Sequence, residues 1–409
     1  MALFSAMTRA LKILGWLLVG LTFLLPVHCQ AGSDGPPQVA VPALGQDFGT
    51  EAKLLFRIVA CQGNDPLPTG IAPVVDKHCQ WMLRAMERYR RRYLGRAQPF
   101  FAKLVPTTLP DKVVYPFGGG DLLSALTTYP GAREITTMSL ELVGDPRRVH
   151  DLDPRELDDG LAALRHAMVG LLNQNDSASE LLKGAQQGKL PGQLAFFLVG
   201  LAVHGYEPVS LRYFRIEREG SLHYYTSDEI RNLEGKTASH LNKSWPSPDF
   251  SEAFTNSELT FRAPAAGAPL RVHRHIAANL DNFHLQRNPG LLAHLRRKGH
   301  VAAMTKAASY CLWNPAFTRI REYLLVNMDY MISDSTGIPP DVATKAGFVQ
   351  ETYGTFQGSF LDASQECNDQ FRDLWANQLP RKLTFRYGYL DSAQGYHLLV
   401  TRRPRRDEQ

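Results

Sequence analysis

Residues 51–403 are predicted to form one α/β domain, because strands alternate with helices and no linker interrupts the pattern. Short apolar runs such as VVYPF at 113–117 are followed by segments in which apolar residues have helical spacing. This alternation favours a mainly parallel sheet with helices on both faces, which gives three layers. LTFRYGY and YHLLVTRR, joined by LDSAQG, predict a C-terminal antiparallel hairpin at one edge of that sheet.

The remaining elements follow from local pattern. Asp153 and Pro154 supply a cap and a first-turn proline, and an apolar stripe continues that helix to Leu171. PGQLAFFLVGLAVHGY is apolar on every side and ends at Gly205, which predicts a buried helix too short to cross a bilayer. Further strands are predicted at 134–142, 207–216, 221–228, 300–308 and 330–335, further helices at 288–299, 317–328 and 364–378, and an irregular insertion at about 230–288.

The N-terminus has the features of a secretory signal peptide over residues 1–31. Arg9 and Lys12 precede the apolar run ILGWLLVGLTFLLPV, and small residues lie where signal peptidase cleaves. An uncleaved anchor is the alternative, although the run is short for a membrane span. The mature chain is therefore predicted to be periplasmic or secreted, with a flexible linker at 32–50 and a basic tail at 404–409.

The cysteine content agrees with export. Outside the signal peptide the chain has an even set, Cys61, Cys79, Cys311 and Cys367, which an oxidising compartment would allow to pair. Four cysteines allow three pairings, of which the local one joins Cys61 to Cys79 and Cys311 to Cys367. Four buried free thiols are the alternative.

Polar residues that could carry chemistry follow several predicted strands. In parallel sheets, functional groups collect at the carboxyl ends of the strands. The sequence places there, from separate segments, Gly118, Gly119, Gly120 and Asp121, Glu141, Lys306 with Tyr310, and Asp334 with Gly337. Acidic, basic and hydroxyl groups are thus predicted to share one edge of the sheet.

The glycine turn Gly118–Gly120 precedes a helix, where exposed N–H groups favour an anion, and Glu141 lies where a ribose-binding acid is expected. The spacing GGGDLL nevertheless lacks the third glycine of GxGxxG, and Asp121 would repel a phosphate from the helix start. A structural turn or a site for another polar ligand is therefore favoured over a dinucleotide or S-adenosylmethionine site. No cofactor is predicted.

Three further motifs are incomplete. SDSTGIPP is similar to the Asp-Ser/Thr-Gly turn of aspartic proteases but has one residue too many, and KAASY reverses the order of the S-x-x-K pair. His273, His275 and the nearby His284 could bind a metal if RVHRH is a strand, but no standard spacing completes the set, and solvated histidines are favoured.

The charge of the chain is too mild to imply a nucleic-acid partner. Its formal net charge is +5, and the signal peptide contributes two of the cations. The basic segment RAMERYRRRYLGR (84–96) carries apolar and aromatic residues at helical spacing, so its arginines are predicted to be the solvated face of an amphipathic helix. Partners are otherwise unknown, and no membrane span is predicted after the signal peptide.

Several motifs together resemble a family of exported bacterial proteins that has no assigned biochemical function. They are YPFGGGD, LPGQLAFFLVGLAVHGYEPVSL, LHYYTSD, KAASY, SDSTGIP and YGTF, and they span most of residues 110–400. Asp121, Asp334, Gly337 and Pro339 match the family's motifs, whereas Gly119–Gly120 and Thr336 depart from them. The order of elements is also similar to a Rossmann-like, methyltransferase-like sheet, which is an analogy of fold only.

Two functional hypotheses follow. The first is an exported binding or scaffold protein with a polar-ligand site at the carboxyl edge, formed by the glycine turn with Glu141 and Gly337. The second is an extracytoplasmic hydrolase, in which Asp121 and Asp334 serve as acid and base and Lys306 or Tyr310 positions the substrate. The first is favoured, because the sequence contains no complete triad, metal set or cofactor signature.

Overall fold

The computed structural model describes residues 45–174, 190–234, 252–308, 312–356, 365–388 and 397–404. Twelve α-helices are numbered here in chain order within that part of the chain. They are α1 Gly49–Val59, α2 Ala72–Tyr89, α3 Gly95–Leu104, α4 Leu122–Thr128, α5 Pro154–Val169, α6 Gly192–Val203, α7 Ser227–Leu233, α8 Asn282–Arg287, α9 Pro289–Arg296, α10 Thr318–Asn327, α11 Pro340–Lys345 and α12 Gln365–Ala376. The described residues all belong to one compact unit.

Ten strands in the described residues form one mixed sheet. They are β1 Lys112–Pro116, β2 Glu134–Ser139, β3 Glu207–Ile216, β4 Leu222–Tyr224, β5 Ser257–Arg262, β6 Arg271–Ala277, β7 Val301–Met304, β8 Met328–Ser333, β9 Val349–Gly354 and β10 His397–Arg402. Their order across the sheet is β4-β3-β5-β6-β2-β1-β7-β8-β10-β9. The α/β class is therefore confirmed.

The prediction of a mainly parallel sheet is correct only for its centre. β6, β2, β1, β7 and β8 are neighbours that all run in one direction. β5, β3 and β4 extend one side as antiparallel neighbours, and β10 runs antiparallel between β8 and β9 on the other. Helices α7, α11 and α12 still separate β4 from β5, β8 from β9 and β9 from β10. The alternation of strands and helices therefore continues at both edges and does not by itself determine strand direction, because antiparallel neighbours can also be joined through a helix.

The segment predicted as an irregular insertion, about 230–288, contains two strands of the sheet. β6 pairs in parallel with β2 along six residues, from Glu134–Val272 to Ser139–Ala277, and β5 pairs antiparallel with β6. The strand sequences SELTFR and RVHRHIA contain many polar residues, so neither has the apolar run that would predict a strand. Burial in the sheet, rather than apolar composition, defines these two strands.

The predicted C-terminal hairpin is wrong in its pairing. β10 pairs with β9 and β8, whereas the segment LTFRYGY lies outside the sheet as far as residue 388. Leu383, Phe385 and Tyr387 are all buried, and Phe385 packs edge-on against Phe100 and Phe101 of α3. Every second residue of this segment is buried, which is the sequence pattern of a strand, but the segment makes no strand pairing in the described residues.

Two cores lie on opposite faces of the sheet. Val113 and Tyr115 of β1 pack into a core with α1 to α6, whereas Val114 packs into a second core with α8 to α11. Alternate strand residues point to opposite faces, so β1 is covered on both sides. The three-layer prediction is confirmed for this part of the sheet.

A disulfide joins Cys61, which follows α1, to Cys79 within α2. This is one of the two bonds of the local pairing proposed from sequence. Cys311 and the side chain of Cys367 lie outside the described part of the chain, so their pairing stays a prediction. None of the helices in the described residues combines the length and the apolarity that a bilayer crossing requires.

Candidate functional site

The order of the central strands reverses at β1. The chain passes from β1 to β2 on one side, whereas β7 and then β8 lie on the other side. In open parallel sheets such a reversal leaves a crevice outside the carboxyl ends of the two strands, and ligands bind there. The glycine turn follows β1 directly and Lys306 follows β7, so both predicted segments lie at this point of the sheet.

Each of the three glycines is required by its surroundings. A Cβ on Gly118 would lie 2.6 Å from the ring of Tyr115, and one on Gly120 would lie 2.3 Å from Oε1 of Gln193. Gly119 has a φ of +48°, in the left-handed region that favours glycine. The turn is therefore a close-packed structural element and does not have the open geometry of a phosphate-binding loop.

Asp121 is the N-cap of α4 and is almost fully buried, with 2% of its surface exposed. Its carboxylate accepts from the backbone N–H of Ser124 at 3.0 Å and from the hydroxyl of Tyr115 at 3.1 Å. Lys306 Nζ lies 3.5 Å from the same carboxylate and donates to Ser124 Oγ at 2.9 Å. Asp121 and Lys306 thus form a buried ion pair, and Ser124 hydrogen-bonds both of them.

Asp334 is held in the same way at the end of β8. Its carboxylate accepts from the N–H of Ala307 at 2.7 Å and from the N–H of Thr336 at 2.9 Å, and its surface is 0% exposed. A Cβ on Gly388, which has a φ of +80°, would lie 2.8 Å from Oδ2 of Asp334. Because Lys306 pairs with Asp121 and the next residue, Ala307, binds Asp334, the end of β7 ties the two predicted carboxylates together.

Burial and the two carboxylates raise the pKa values of two tyrosines. Burial raises the pKa of Tyr115 well above its usual value, and Asp121 raises that pKa further. Burial likewise raises the pKa of Tyr387, and Asp334 adds to the effect. Both phenols are therefore neutral at physiological pH. In that state Tyr115 serves as a hydrogen-bond donor to Asp121.

Of the two remaining predicted site residues, Gly337 lies in the described part of the chain and Tyr310 does not. A Cβ on Gly337 would lie 2.2 Å from Oγ of Ser333, so this glycine is required by the tight turn after β8. Its N–H donates to the carbonyl of Asp334 at 3.1 Å. Tyr310 lies outside the described residues, and its predicted role stays a prediction.

Gln193, which sequence reasoning missed, lies against the glycine turn. It is 0% exposed, and neither Oε1 nor Nε2 of its side chain has a hydrogen-bond partner within the described residues. The Cβ position of Gly119 lies 3.7 Å from Nε2 of Gln193 and 3.8 Å from Oε2 of Glu141. The signal was present in the sequence, because Gln193 is the one side chain with hydrogen-bonding atoms in the helix GQLAFFLVGLAV.

His273 and His275 are buried in β6, so the expectation of solvated histidines is wrong for both. Thr137 Oγ1 of β2 lies 3.0 Å from His273 Nε2 and 2.9 Å from His275 Nδ1, and His275 Nε2 lies 2.9 Å from the carbonyl of Glu141. The neutral His275 donates its Nε2–H to that carbonyl, which ties the loop after β2 to β6. No cluster of potential metal ligands occurs in the described part of the chain.

A separate cavity of about 350 Å³ lies away from this site. It is lined by the loop after α1, the end of α6, the start of β3 and the end of β5, including Gln62, Asp65, Tyr206 and Arg262. None of the predicted site residues lines it. The carboxyl-edge residues and this cavity are therefore two different parts of the molecule.

Comparison with known proteins gives no relative for this chain. No protein-family model matches the sequence, no curated protein is significantly similar to it, and no solved structure matches it. The resemblance of YPFGGGD and SDSTGIP to an exported bacterial family therefore stays a prediction. Function has to be inferred from the residues themselves.

Proposed function

We propose that this chain is an exported α/β binding protein that holds a small polar ligand at the carboxyl edge of β1. The ligand would lie beside the close-packed glycine turn at Gly119, with the amide of Gln193 and the carboxylate of Glu141 as its hydrogen-bonding groups. A ligand that both donates and accepts hydrogen bonds, such as a sugar or another polyhydroxylated compound, suits an amide beside a carboxylate. The disulfide between Cys61 and Cys79 supports the oxidising location that export would provide.

We further infer that the centre of the sheet is a variant of the Rossmann-like fold. Five parallel strands with their order reversing at β1, followed by an antiparallel final strand beside β9, support the methyltransferase-like analogy. The analogy concerns fold alone and carries no reaction. It does supply the general expectation that a ligand lies at the reversal point.

The buried amide of Gln193 is the observation that carries this proposal. Burying a polar group without a partner costs about 1–3 kcal/mol, and among the described residues Gln193 is the one whose side chain has two buried polar atoms without a hydrogen-bond partner. The group lies at the reversal point of the sheet and not in a random part of the core. A ligand that hydrogen-bonds the amide would recover the free energy that its burial costs.

The hydrolase hypothesis has less support. An acid–base pair must reach the substrate, yet the carboxylates of Asp121 and Asp334 are buried and are occupied by hydrogen bonds from within the chain. Under that hypothesis Asp121→Asn abolishes turnover and leaves the fold intact. Under the binding hypothesis the same change lowers the stability of the fold.

A thermal-shift screen tests the proposal. Oxidised protein comprising residues 32–409 would be screened against sugars, nucleotides, phosphates and divalent metals. A ligand at 100 times its dissociation constant stabilises the fold by about 2.7 kcal/mol, which raises the unfolding temperature measurably. We expect a hit whose shift is lost in Gln193→Leu and kept in the control Gln62→Leu, which alters an amide in the separate cavity. A shift lost only in Gln62→Leu, or no shift with any compound, would contradict the proposal.

A further inference from the structure

The long helical segment that follows α1 carries an exposed row of arginines. α2, a π-helical turn at Arg90–Leu94 and α3 follow one another without a break from residue 72 to residue 104. Arg84, Arg88, Arg92 and Arg96 recur at intervals of four, and all four are exposed, as is Arg91 beside them. We call these five residues the arginine ridge.

The π-helical turn lets the ridge continue while the buried face stays in contact with the core. Buried residues advance by four and three from Met82 through Met86 to Tyr89, and then by five to Leu94. A turn that holds one extra residue absorbs that longer step. The exposed arginines keep their interval of four across it, so the segment presents cations along its whole solvent side.

Within the described part of the chain, the arginine ridge has no anionic partner. None of its five members makes an ion pair or a side-chain hydrogen bond within the described residues, in contrast to Arg90, which donates to the carbonyls of Ala202 and Val203. Glu87 is the one acidic residue between residues 84 and 96. Its Oε2 lies 3.8 Å from Nη1 of Arg90, which is not part of the ridge. Like charges four residues apart destabilise a helix by about 0.2–0.5 kcal/mol per pair. The ridge therefore lowers stability unless an external anion compensates it.

We propose that the arginine ridge docks the exported protein onto a membrane surface rich in anionic phospholipids. Guanidinium groups bind phosphate through two parallel hydrogen bonds, and residues four apart on a helix are about 6 Å apart along its axis, so a row can contact several headgroups of a flat surface. This inference is independent of the ligand site at the glycine turn.

The surrounding side chains favour a lipid surface over a nucleic acid. Single-stranded nucleic-acid sites interleave cations with aromatic side chains that stack on bases. Here Tyr89 is buried and stacks on Tyr93 at 4.9 Å between ring centroids, so the segment's tyrosines are engaged within the fold. Leu83, beside Arg84, is the one large apolar side chain that is exposed in the described segment from residue 72 to residue 104. A single leucine gives no continuous apolar face to insert, so docking should be mainly electrostatic, reversible and sensitive to salt.

Vesicle co-sedimentation tests the proposal. Protein comprising residues 32–409, which keeps every described residue, would be mixed with phosphatidylglycerol–phosphatidylcholine vesicles at low and physiological salt, with pure phosphatidylcholine as the baseline. The ridge variant replaces Arg84, Arg88, Arg92 and Arg96 by Gln. The control variant replaces Arg155, Arg218, Arg296 and Arg297, which are exposed elsewhere, by Gln and so removes the same charge.

Each cation near an anionic surface contributes about 1 kcal/mol, which is about fivefold in partitioning. We expect the ridge variant to lose on the order of several hundredfold in partitioning at low salt, and the control variant to bind like the unmodified chain. Both variants should fold, because the replaced side chains are exposed, and the ridge variant should unfold at the same or a slightly higher temperature because it loses like-charge pairs four residues apart. Equal losses in the two variants, no loss in either, or preference for a DNA oligonucleotide over vesicles would overturn the proposal.

Discussion

The glycine turn is shaped by contacts that a single methyl group would break. Gly120→Ala would place a Cβ 2.3 Å from Oε1 of Gln193 and 3.1 Å from Cβ of Phe196. Overpacking of this kind destabilises by about 1–3 kcal/mol. We expect that loss in the free energy of unfolding measured by urea denaturation.

Gly131→Ala is the matched control for this change, because nothing lies within 4 Å of its added Cβ and its φ is not positive. The control should leave the free energy of unfolding unchanged or raise it slightly by restricting the unfolded chain. Equal effects of the two substitutions would show that the turn is looser than its contacts indicate.

The ion pair of Asp121 and Lys306 gives a second test at this scale. Lys306→Met leaves a buried carboxylate without its cation, which should lower the free energy of unfolding by about 3–5 kcal/mol. Adding Asp121→Asn removes the uncompensated charge, so the double variant should be more stable than Lys306→Met alone. Urea titrations of the three proteins check this, and a double variant that is less stable than Lys306→Met would contradict it.

The positions of Asp121, Lys306 and Asp334 were predictable from sequence, whereas their roles were not. Each follows a strand whose apolar run was evident, and the ends of parallel strands meet at one edge. Whether a polar side chain there faces solvent or bonds within the fold depends on contacts such as that between Ala307 and Asp334, which join segments distant in sequence. Gln193 was missed because the residues that lie next to it in the fold belong to the turn after β1, which is distant from it in sequence.

At the scale of elements, buried histidines make the sheet sensitive to acid. Burial lowers the pKa of His275 on β6 from 6.5 to about 4. On acidification, the imidazole is therefore protonated at a lower pH in the folded state than in the unfolded state. The stabilisation is complete above pH 6.5 and is lost as pH falls from 6.5 towards 4. Within that window each such histidine should contribute a slope of about 1.4 kcal/mol per pH unit.

His275→Gln should therefore reduce the pH dependence of the unfolding free energy by about that slope. Urea denaturation at several pH values between 7 and 4.5 measures it. His166→Gln, which alters an exposed histidine of α5, should leave the slope unchanged. An unchanged slope in the His275 variant would mean that its imidazole is not held neutral by the fold.

Elements with strong local signals were predicted well, and those defined by long-range contacts were not. The buried helix α6 and the capped helix α5 carry their patterns within a dozen or so residues. β5 and β6 are strands because neighbouring strands supply their hydrogen bonds and bury their polar side chains. LTFRYGY has the alternating pattern of a strand because its alternate residues are buried in the core, where Phe385 packs against α3.

For the whole molecule, sequence predicted the class and the layers but not the sheet's order. The pairing of β10 with β9 and the antiparallel pairing of β3 with both β4 and β5 depend on register between separate segments, which a local pattern does not encode. The reversal at β1 followed only from the complete order. The same reversal gives the glycine turn and Gln193 their place at the proposed ligand site.

The most direct test of that site is the free energy of unfolding of Gln193→Leu without any added ligand. If the buried amide is kept for a ligand, replacing it by an apolar side chain of similar size should stabilise the ligand-free protein by about 1 kcal/mol or more, because an unpaired polar group leaves the core. A loss of stability would show that the amide serves the fold itself, and the binding proposal at the glycine turn would then be wrong.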